Sequence, residues 1–410
     1  MATATRPPPA DTRTLARSGG MAARAPIYLD YNATTPISRE VADVMRPFLD
    51  HFFGNPSSGH LFGASTKKAV EAARLQVAEA LGCGVDEIVF TSGGTESNNY
   101  AIKGYALQHK HKGRHIITSA VEHPAVEEVV KYLEREEDFY VTRLPVNEEG
   151  LVSLQDLEEA IRADTILVTI MHANNEVGTL MPIKEIVDIV RQKAGARIAV
   201  HTDAAQSIGK VRVRVDEMGV DMLSVCAHKL YAPKGTRTAL LPSNPSVAAR
   251  VQVTCHLTWR RLPSRVLPGV GALYVRRGVE LKKLMHGADH EAGRRPGTEN
   301  TLLVPGLGMA CTICARDLNR NSQHMKELRD RLQANLTEAC KALGLETRVN
   351  GPKDDSKRLP NTLSISFRGI EANALLSEIH AQVAASAGAA CHSESITVSP
   401  VLTAMRVPME

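Results

Sequence analysis

The chain has 410 residues, of which 43% are hydrophobic and 23% charged, and its formal net charge is +4. This length suffices for two domains around a large buried core, and so small a charge gives no footprint for nucleic acid or a membrane surface. With 4% aromatic residues and a single Trp there is no base-stacking platform, and no apolar run is long enough to span a bilayer.

Residues 1–25 are rich in Ala, Thr, Arg and Pro and contain one acid, Asp11. They read as a disordered tail ahead of a second possible start at Met21, with an organelle transit peptide as the alternative. The expected location is the cytoplasm, the alternatives being mitochondrion or plastid. From Pro26 onward, short β-branched runs alternate with helical spacing. Strands are expected at 87–90 (EIVF), 115–118 (HIIT), 165–171 (TILVTIM), 197–201 (RIAVH), 221–225 (DMLSV) and 272–275 (ALYV), and helices at 66–81 and 183–193. The alternation predicts an α/β fold over 26–300, with a largely parallel central sheet flanked by helices and a site at the carboxyl ends of the strands.

Residues 236–269 break this order. They carry several prolines and arginines without a clear period, between Lys234-Gly235 and Val270-Gly271. A structureless loop of that length is unusual inside a compact domain. The segment reads as foreign sequence, such as a translated intron, whose removal would leave the strand pattern intact. Beyond Asn300, helical segments at 302–319 and 325–343 precede a strand at 362–367 (TLSISF) and a helical piece at 372–380. These form a smaller α+β C-terminal domain, 301–410, that reads as truncated because 401–410 offer no closing helix or strand.

The seven cysteines are Cys83, Cys226, Cys255, Cys311, Cys314, Cys340 and Cys391. Their odd number and irregular spacing favour free thiols in a reducing compartment over a disulfide framework. Cys311 and Cys314 lie in an apolar helical run with no second pair or nearby histidine, so they are expected to pack rather than bind metal.

The chemistry concentrates at two strand ends. Asp203-Ala204-Ala205-Gln206 follows one expected strand and Cys226-Ala227-His228-Lys229 the next. Pyridoxal phosphate needs a lysine amine for a Schiff base and a carboxylate that keeps its pyridine nitrogen protonated. Asp203 and Lys229 suit those roles, although a helix cap and a solvated lysine would explain either residue alone. A second signal is Thr91-Ser92-Gly93-Gly94-Thr95-Glu96-Ser97-Asn98, between a strand and a helix. Such a turn exposes backbone N–H groups where the helix dipole favours an anion. It is a plain cap by itself and a phosphate cradle beside a Schiff-base lysine.

Further motifs follow in order: Asp30-Tyr31-Asn32-Ala33-Thr34-Thr35-Pro36, Gly54-Asn55-Pro56-Ser57-Ser58, Glu122-His123, Asn174-Asn175-Glu176-Val177-Gly178, Arg295-Pro296-Gly297-Thr298-Glu299-Asn300 and Gly388-Ala389-Ala390-Cys391. With the elements above, the series resembles class V aminotransferase-fold enzymes, and among them cysteine desulfurases and selenocysteine lyases. It runs from about Tyr28 to Leu402, broken by 236–269. The resemblance implies the pyridoxal-phosphate-dependent transferase fold of type I. It implies that Lys229 carries the cofactor, Asp203 pairs with the pyridine nitrogen and Gln206 donates to the phenolic oxygen. Gly94, Thr95 and His228 would hold the phosphate, with Cys226 where many relatives have a hydroxyl residue. His123 would stack on the ring and assist proton transfer, Asn175 would contact ring substituents and, with Asn32, the substrate. Thr298 would reach the cofactor of a neighbouring subunit, since members of the family are homodimers.

By the same resemblance Cys391, in a run of small residues, is the nucleophile that takes sulfur from L-cysteine. The products would be L-alanine and a Cys391 persulfide for a sulfur-acceptor protein. Similarity at 295–301, 358–362 and 390–393 to selenocysteine lyases keeps L-selenocysteine as an alternative substrate. Three departures point to a second alternative, a catalytically impaired form with a binding role in sulfur transfer. They are the segment 236–269, Asp289 where the family commonly has glycine, and the lack of an arginine clamp for the substrate carboxylate. Arg406 is the one arginine left near that place, and it fits poorly. The chain is expected to bind the cofactor better than it turns over substrate.

Overall fold

The computed structural model describes residues 25–235, 269–388 and 399–408. Strands in chain order are β1 (Ile27–Tyr28), β2 (Ile88–Thr91), β3 (His115–Ser119), β4 (Tyr140–Leu144), β5 (Thr165–Thr169), β6 (Ala199–Asp203), β7 (Met222–Cys226), β8 (Gly271–Val275), β9 (Thr347–Asn350), β10 (Ser364–Phe367) and β11 (Val383–Ala384). Seven of them form one sheet in the order β2-β8-β7-β6-β5-β3-β4. Every pairing in it is parallel except those of β8, which runs antiparallel to both β2 and β7. This bears out the largely parallel sheet. Strands β2, β3, β5, β6, β7 and β8 are buried along their whole length, which is why they read as unbroken apolar runs rather than alternating ones.

The helices are α1 (Arg39–Met45), α2 (Leu61–Leu81), α3 (Gly94–Asn99), α4 (Tyr105–His109), α5 (Pro124–Glu136), α6 (Leu154–Ala160), α7 (Ile183–Ala194), α8 (Val215–Met218), α9 (Leu303–Ala342), α10 (Ala372–Ile379) and α11 (Pro400–Ala404). In α5, Val126, Val129, Val130 and Leu133 form the buried stripe, with proline in the first turn; α7 buries Ile183, Ile186, Val187 and Val190 in the same pattern. Separate apolar clusters cover the two faces of the sheet, one around Val168, Val200 and Leu223, the other around Ile116, Leu167 and Met222.

Several expectations need correction. The two helices expected at 302–319 and 325–343 are one continuous helix, α9. The stretch Asn319-Arg320-Asn321-Ser322 is polar but holds no proline or glycine to break it. The first turns of α9 belong to the main core through Val304, Leu307, Ala310 and Cys311, with Cys314 packed against them. Strands β4 and β9 had no expectation: β4 begins exposed at the sheet edge, and β9 pairs only with β10 in a small antiparallel ribbon. The last described residues do form an element, since α11 packs Val401, and Met405 just beyond it, into the main core. The turn at 287–293 places Glu291 (φ 51), Ala292 (φ 54) and Gly293 (φ 77) in the left-handed region, and Asp289 is not among the residues so constrained, so the substitution there strains nothing.

Residue 269 is the described flank of the segment that begins at 236. A Cβ built on Gly269 would lie 2.8 Å from the Gly235 nitrogen and 2.9 Å from the Ser92 carbonyl oxygen. The two flanks thus come together beside the glycine turn that follows β2.

Candidate active site

The parallel strands all end on one side, and the turns after β2, β6 and β7 meet there. Asp203 opposes Ser224 in the register of β6 with β7, and Cys226 opposes Gly271 in that of β7 with β8. Asp203 and the turn carrying Lys229 therefore rise side by side. A cavity of about 530 Å³ opens above them. Its lining includes Asn32, Gly94, Thr95, His123, Asn175, Asp203, Gln206, Cys226, His228 and Lys229, which come from six separate stretches of chain. Two of the expected site residues are not among them. Thr298 is exposed on the turn before α9, which Arg295 ties to α3 through Glu96 at 2.9 Å. Cys391 lies outside the described residues, although Gly388, just before it, lines the cavity.

Each group is held by identifiable bonds. Lys229 Nζ donates to the carbonyls of Asn32 and, at 2.8 Å, Ala33. Asp203 is buried; its Oδ2 accepts from Asn98 Nδ2 at 2.7 Å and its Oδ1 from the Ala205 amide at 2.9 Å. His123 caps α5, its Nδ1 accepting from the Ala125 amide at 3.0 Å, so in the neutral ring the proton sits on Nε2. His228 Nδ1 pairs with Thr34 Oγ1 at 3.1 Å. Burial, followed by the Lys229 charge, pushes His228 down to about 4, so at neutral pH it is an uncharged imidazole. Asn32 engages Asn175, Asn361 and Thr362 through its side-chain amide and turns its carbonyl to Lys229. Burial raises the Cys226 thiol, which accepts from the Gly94 amide.

These residues fit pyridoxal phosphate. Asp203 accepts one hydrogen bond at each carboxylate oxygen, from Asn98 Nδ2 and the Ala205 amide, which leaves acceptor capacity for a pyridinium N–H. The glycine turn packs so closely that a Cβ on Gly94 would lie 3.0 Å from Cys226 Cβ, and one on Gly271 would lie 2.8 Å from Gly93 Cα. Gly94 and Gly271 have no room for a side chain here, which leaves the backbone of the turn bare, as a phosphate cradle of N–H groups requires.

The class-V aminotransferase family profile matches residues 27–249 and 267–409. A cysteine desulfurase IscS of Dictyoglomus turgidum is 43% identical over 385 residues, covering 94% of this chain and 86% of the relative. The chain belongs to the cysteine desulfurase family of class-V aminotransferases. Among solved structures, a NifS-like protein superposes with a TM-score of 0.78 at 34% identity, covering 94% of this chain and 90% of that one. SspA in complex with cysteine does so with a TM-score of 0.74 at 34% identity, covering 93% and 95%. As a cysteine desulfurase-family member the chain is a pyridoxal-phosphate enzyme of fold type I. Within the matched span the profile leaves out 250–266 but takes in 236–249 and 267–269, so only the middle of the segment that composition set apart lies outside the family.

Two residues that the sequence reading passed over as site residues support this pocket. Asn98 closes the glycine motif and holds Asp203. Lys210, one turn beyond Gln206, is buried against it. A lysine in the otherwise uncharged run Ser207-Ile208-Gly209 was the available signal.

Proposed function

We propose that this desulfurase-family chain removes sulfur from L-cysteine, leaving L-alanine and a persulfide on Cys391. The observation that carries the reading is the convergence of Lys229, Asp203, Gln206 and His123 on one cavity whose rim includes Gly388. The structural relative bound to cysteine supports the substrate.

In this reading Lys229 holds the cofactor through its amine, Asp203 keeps the pyridine nitrogen protonated and Gln206 donates to the phenolic oxygen. His228, Thr95 and the amides at Gly94 hold the phosphate, with the Cys226 thiol a weaker donor than a hydroxyl. Asn175 and Asn32 line the substrate side. When bound, pyridoxal phosphate supplies an electron sink for the pair released at the substrate. Cys391 attacks the substrate sulfur as a thiolate; the carbon–sulfur bond breaks, its electron pair stays with carbon, and sulfur remains on Cys391. His123 moves a proton at Nε2, since Nδ1 is committed to capping α5. The persulfide then passes to a sulfur-acceptor protein.

A homodimer in the cytoplasm completes the proposal. Exposed Leu49 (67%), Phe53 (68%), Leu61 (80%) and Phe62 (56%) form an apolar surface of the kind that buries against a second copy, and Thr298 stands exposed to reach a neighbour's cofactor. A slow enzyme, or L-selenocysteine as the substrate, is the second reading. One observation favours slow turnover: no arginine lines the cavity among the described residues. Arg406 lies in a different cavity, with Asn147 and Asp156, and does not serve as the carboxylate clamp.

The test is expression with pyridoxal phosphate, incubation with L-cysteine or L-selenocysteine, quantification of alanine, and mass spectrometry of the Cys391 peptide. A sulfur-sized mass gain on Cys391 that requires both cofactor and L-cysteine supports the reading. Alanine formed equally well by a Cys391→Ser variant overturns it.

A further inference from the structure

Behind the cavity wall sits a lysine that the chemistry above does not use. Lys210 is 5% exposed, and its Nζ donates to Gln206 Oε1 at 2.8 Å. The other end of that amide turns toward the site: Gln206 Nε2 donates at 3.0 Å to the Asn32 carbonyl, which also accepts from Lys229 Nζ. The titratable groups facing Lys210 are Lys229, Cys314 from α9 and Cys226 from β7, with no carboxylate among them. Burial, with the Lys229 charge, pushes Lys210 down to about 7. A lysine in such a place costs stability, and a methionine of similar shape would not.

In the ammonium form, which holds below about 7, the amine has three donors and no acceptor. Were the Gln206 amide reversed, its NH2 would face those donors and its oxygen would face the Asn32 carbonyl, leaving repulsion at both ends. We propose that Lys210 is a positioning residue that orients the Gln206 amide so that an N–H, rather than the carbonyl oxygen, faces the cofactor's phenolic oxygen. The inference rests on the pyridoxal-phosphate reading of the same cavity and assigns a second residue to the Gln206 contact.

A donor to an oxyanion lowers the proton affinity of the group it touches. A hydrogen bond worth about 1 kcal/mol corresponds to ~0.7 pH unit. In purified holoenzyme, Lys210→Met should raise the midpoint of the pH titration of the visible absorption band by about 0.5–1 unit. Gln206→Leu should move it the same way, and the double variant should go no further than Gln206→Leu alone, because the two act through one contact. Lys210→Ala makes the same test should Lys210→Met not fold. Midpoints unchanged in the Lys210 variants while Gln206→Leu shifts, or shifts that add in the double variant, overturn the proposal. A wild-type holoenzyme with no visible band overturns the cofactor reading, and this inference with it.

Discussion

Replacing Asp203 by Asn separates what this carboxylate does for the fold from what it does for the cofactor. In the fold it accepts two hydrogen bonds, from Asn98 Nδ2 at 2.7 Å and the Ala205 amide at 2.9 Å. The Asp203→Asn side chain keeps an oxygen for Ala205 and presents an NH2 to Asn98. Asn98 Oδ1 is buried and without a partner, so a turn of that amide restores the bond with its direction reversed. The cost to folding is therefore small, below about 1 kcal/mol. The proposed cofactor contact has no such remedy, because an amide does not hold a pyridine nitrogen protonated. A charge-assisted hydrogen bond is worth about 1.5–3 kcal/mol, which is ~10- to 150-fold in an equilibrium constant. The assays are thermal melting of the apoprotein and spectrophotometric titration with pyridoxal phosphate. An unchanged melting temperature with cofactor affinity lowered by that factor, and alanine formation lowered at least as much, is expected. Unchanged affinity and turnover would refute the assignment of Asp203; a large loss of apoprotein stability would refute the exchange with Asn98.

Lys229→Ala should give a protein that melts near the wild-type temperature but shows no protein-linked visible band, and borohydride treatment with cofactor should label Lys229 only in the wild type. Glu122 accepts from Ser119 and the Met171 amide, and burial raises it from 4.5 to about 8. Its contribution to stability is thus fully present below about 4.5 and is lost as pH rises through about 8. Glu122→Gln should flatten that dependence and raise the melting temperature relative to wild type more at pH 8 than at pH 5; parallel curves would refute it. Deleting 236–269, which joins Gly235 to Val270, should leave a protein that folds and binds pyridoxal phosphate, since the flanks already meet at the glycine turn; insoluble protein or lost binding would show the segment is required.

Much of the fold was legible because fully buried parallel strands leave a local signature. Runs such as Thr165-Ile166-Leu167-Val168-Thr169 are apolar on both faces, and the helices between them carry a single apolar stripe. Elements lacking that signature went unread. Strand β4 is held by its neighbour β3 rather than by burial, and α9 runs on through the polar stretch 319–322, where its residues are not buried and no proline or glycine stops it. Within the site, the sequence announced the groups whose chemistry is intrinsic, an amine and a carboxylate at successive strand ends beside a glycine turn.

From order and residue type alone came the fold class, the family resemblance and the lysine proposed to carry the cofactor. Tertiary structure alone decided that Thr298 stands away from its own chain's cavity, that Arg406 belongs to another one, and that Asn98 and Lys210 hold the acid and the amide in place. The reason is distance along the chain. A residue's own chemistry is written at its position, whereas the hydrogen-bond partner that orients it depends on which distant stretches the sheet brings together, as Asn98 and Asp203 show.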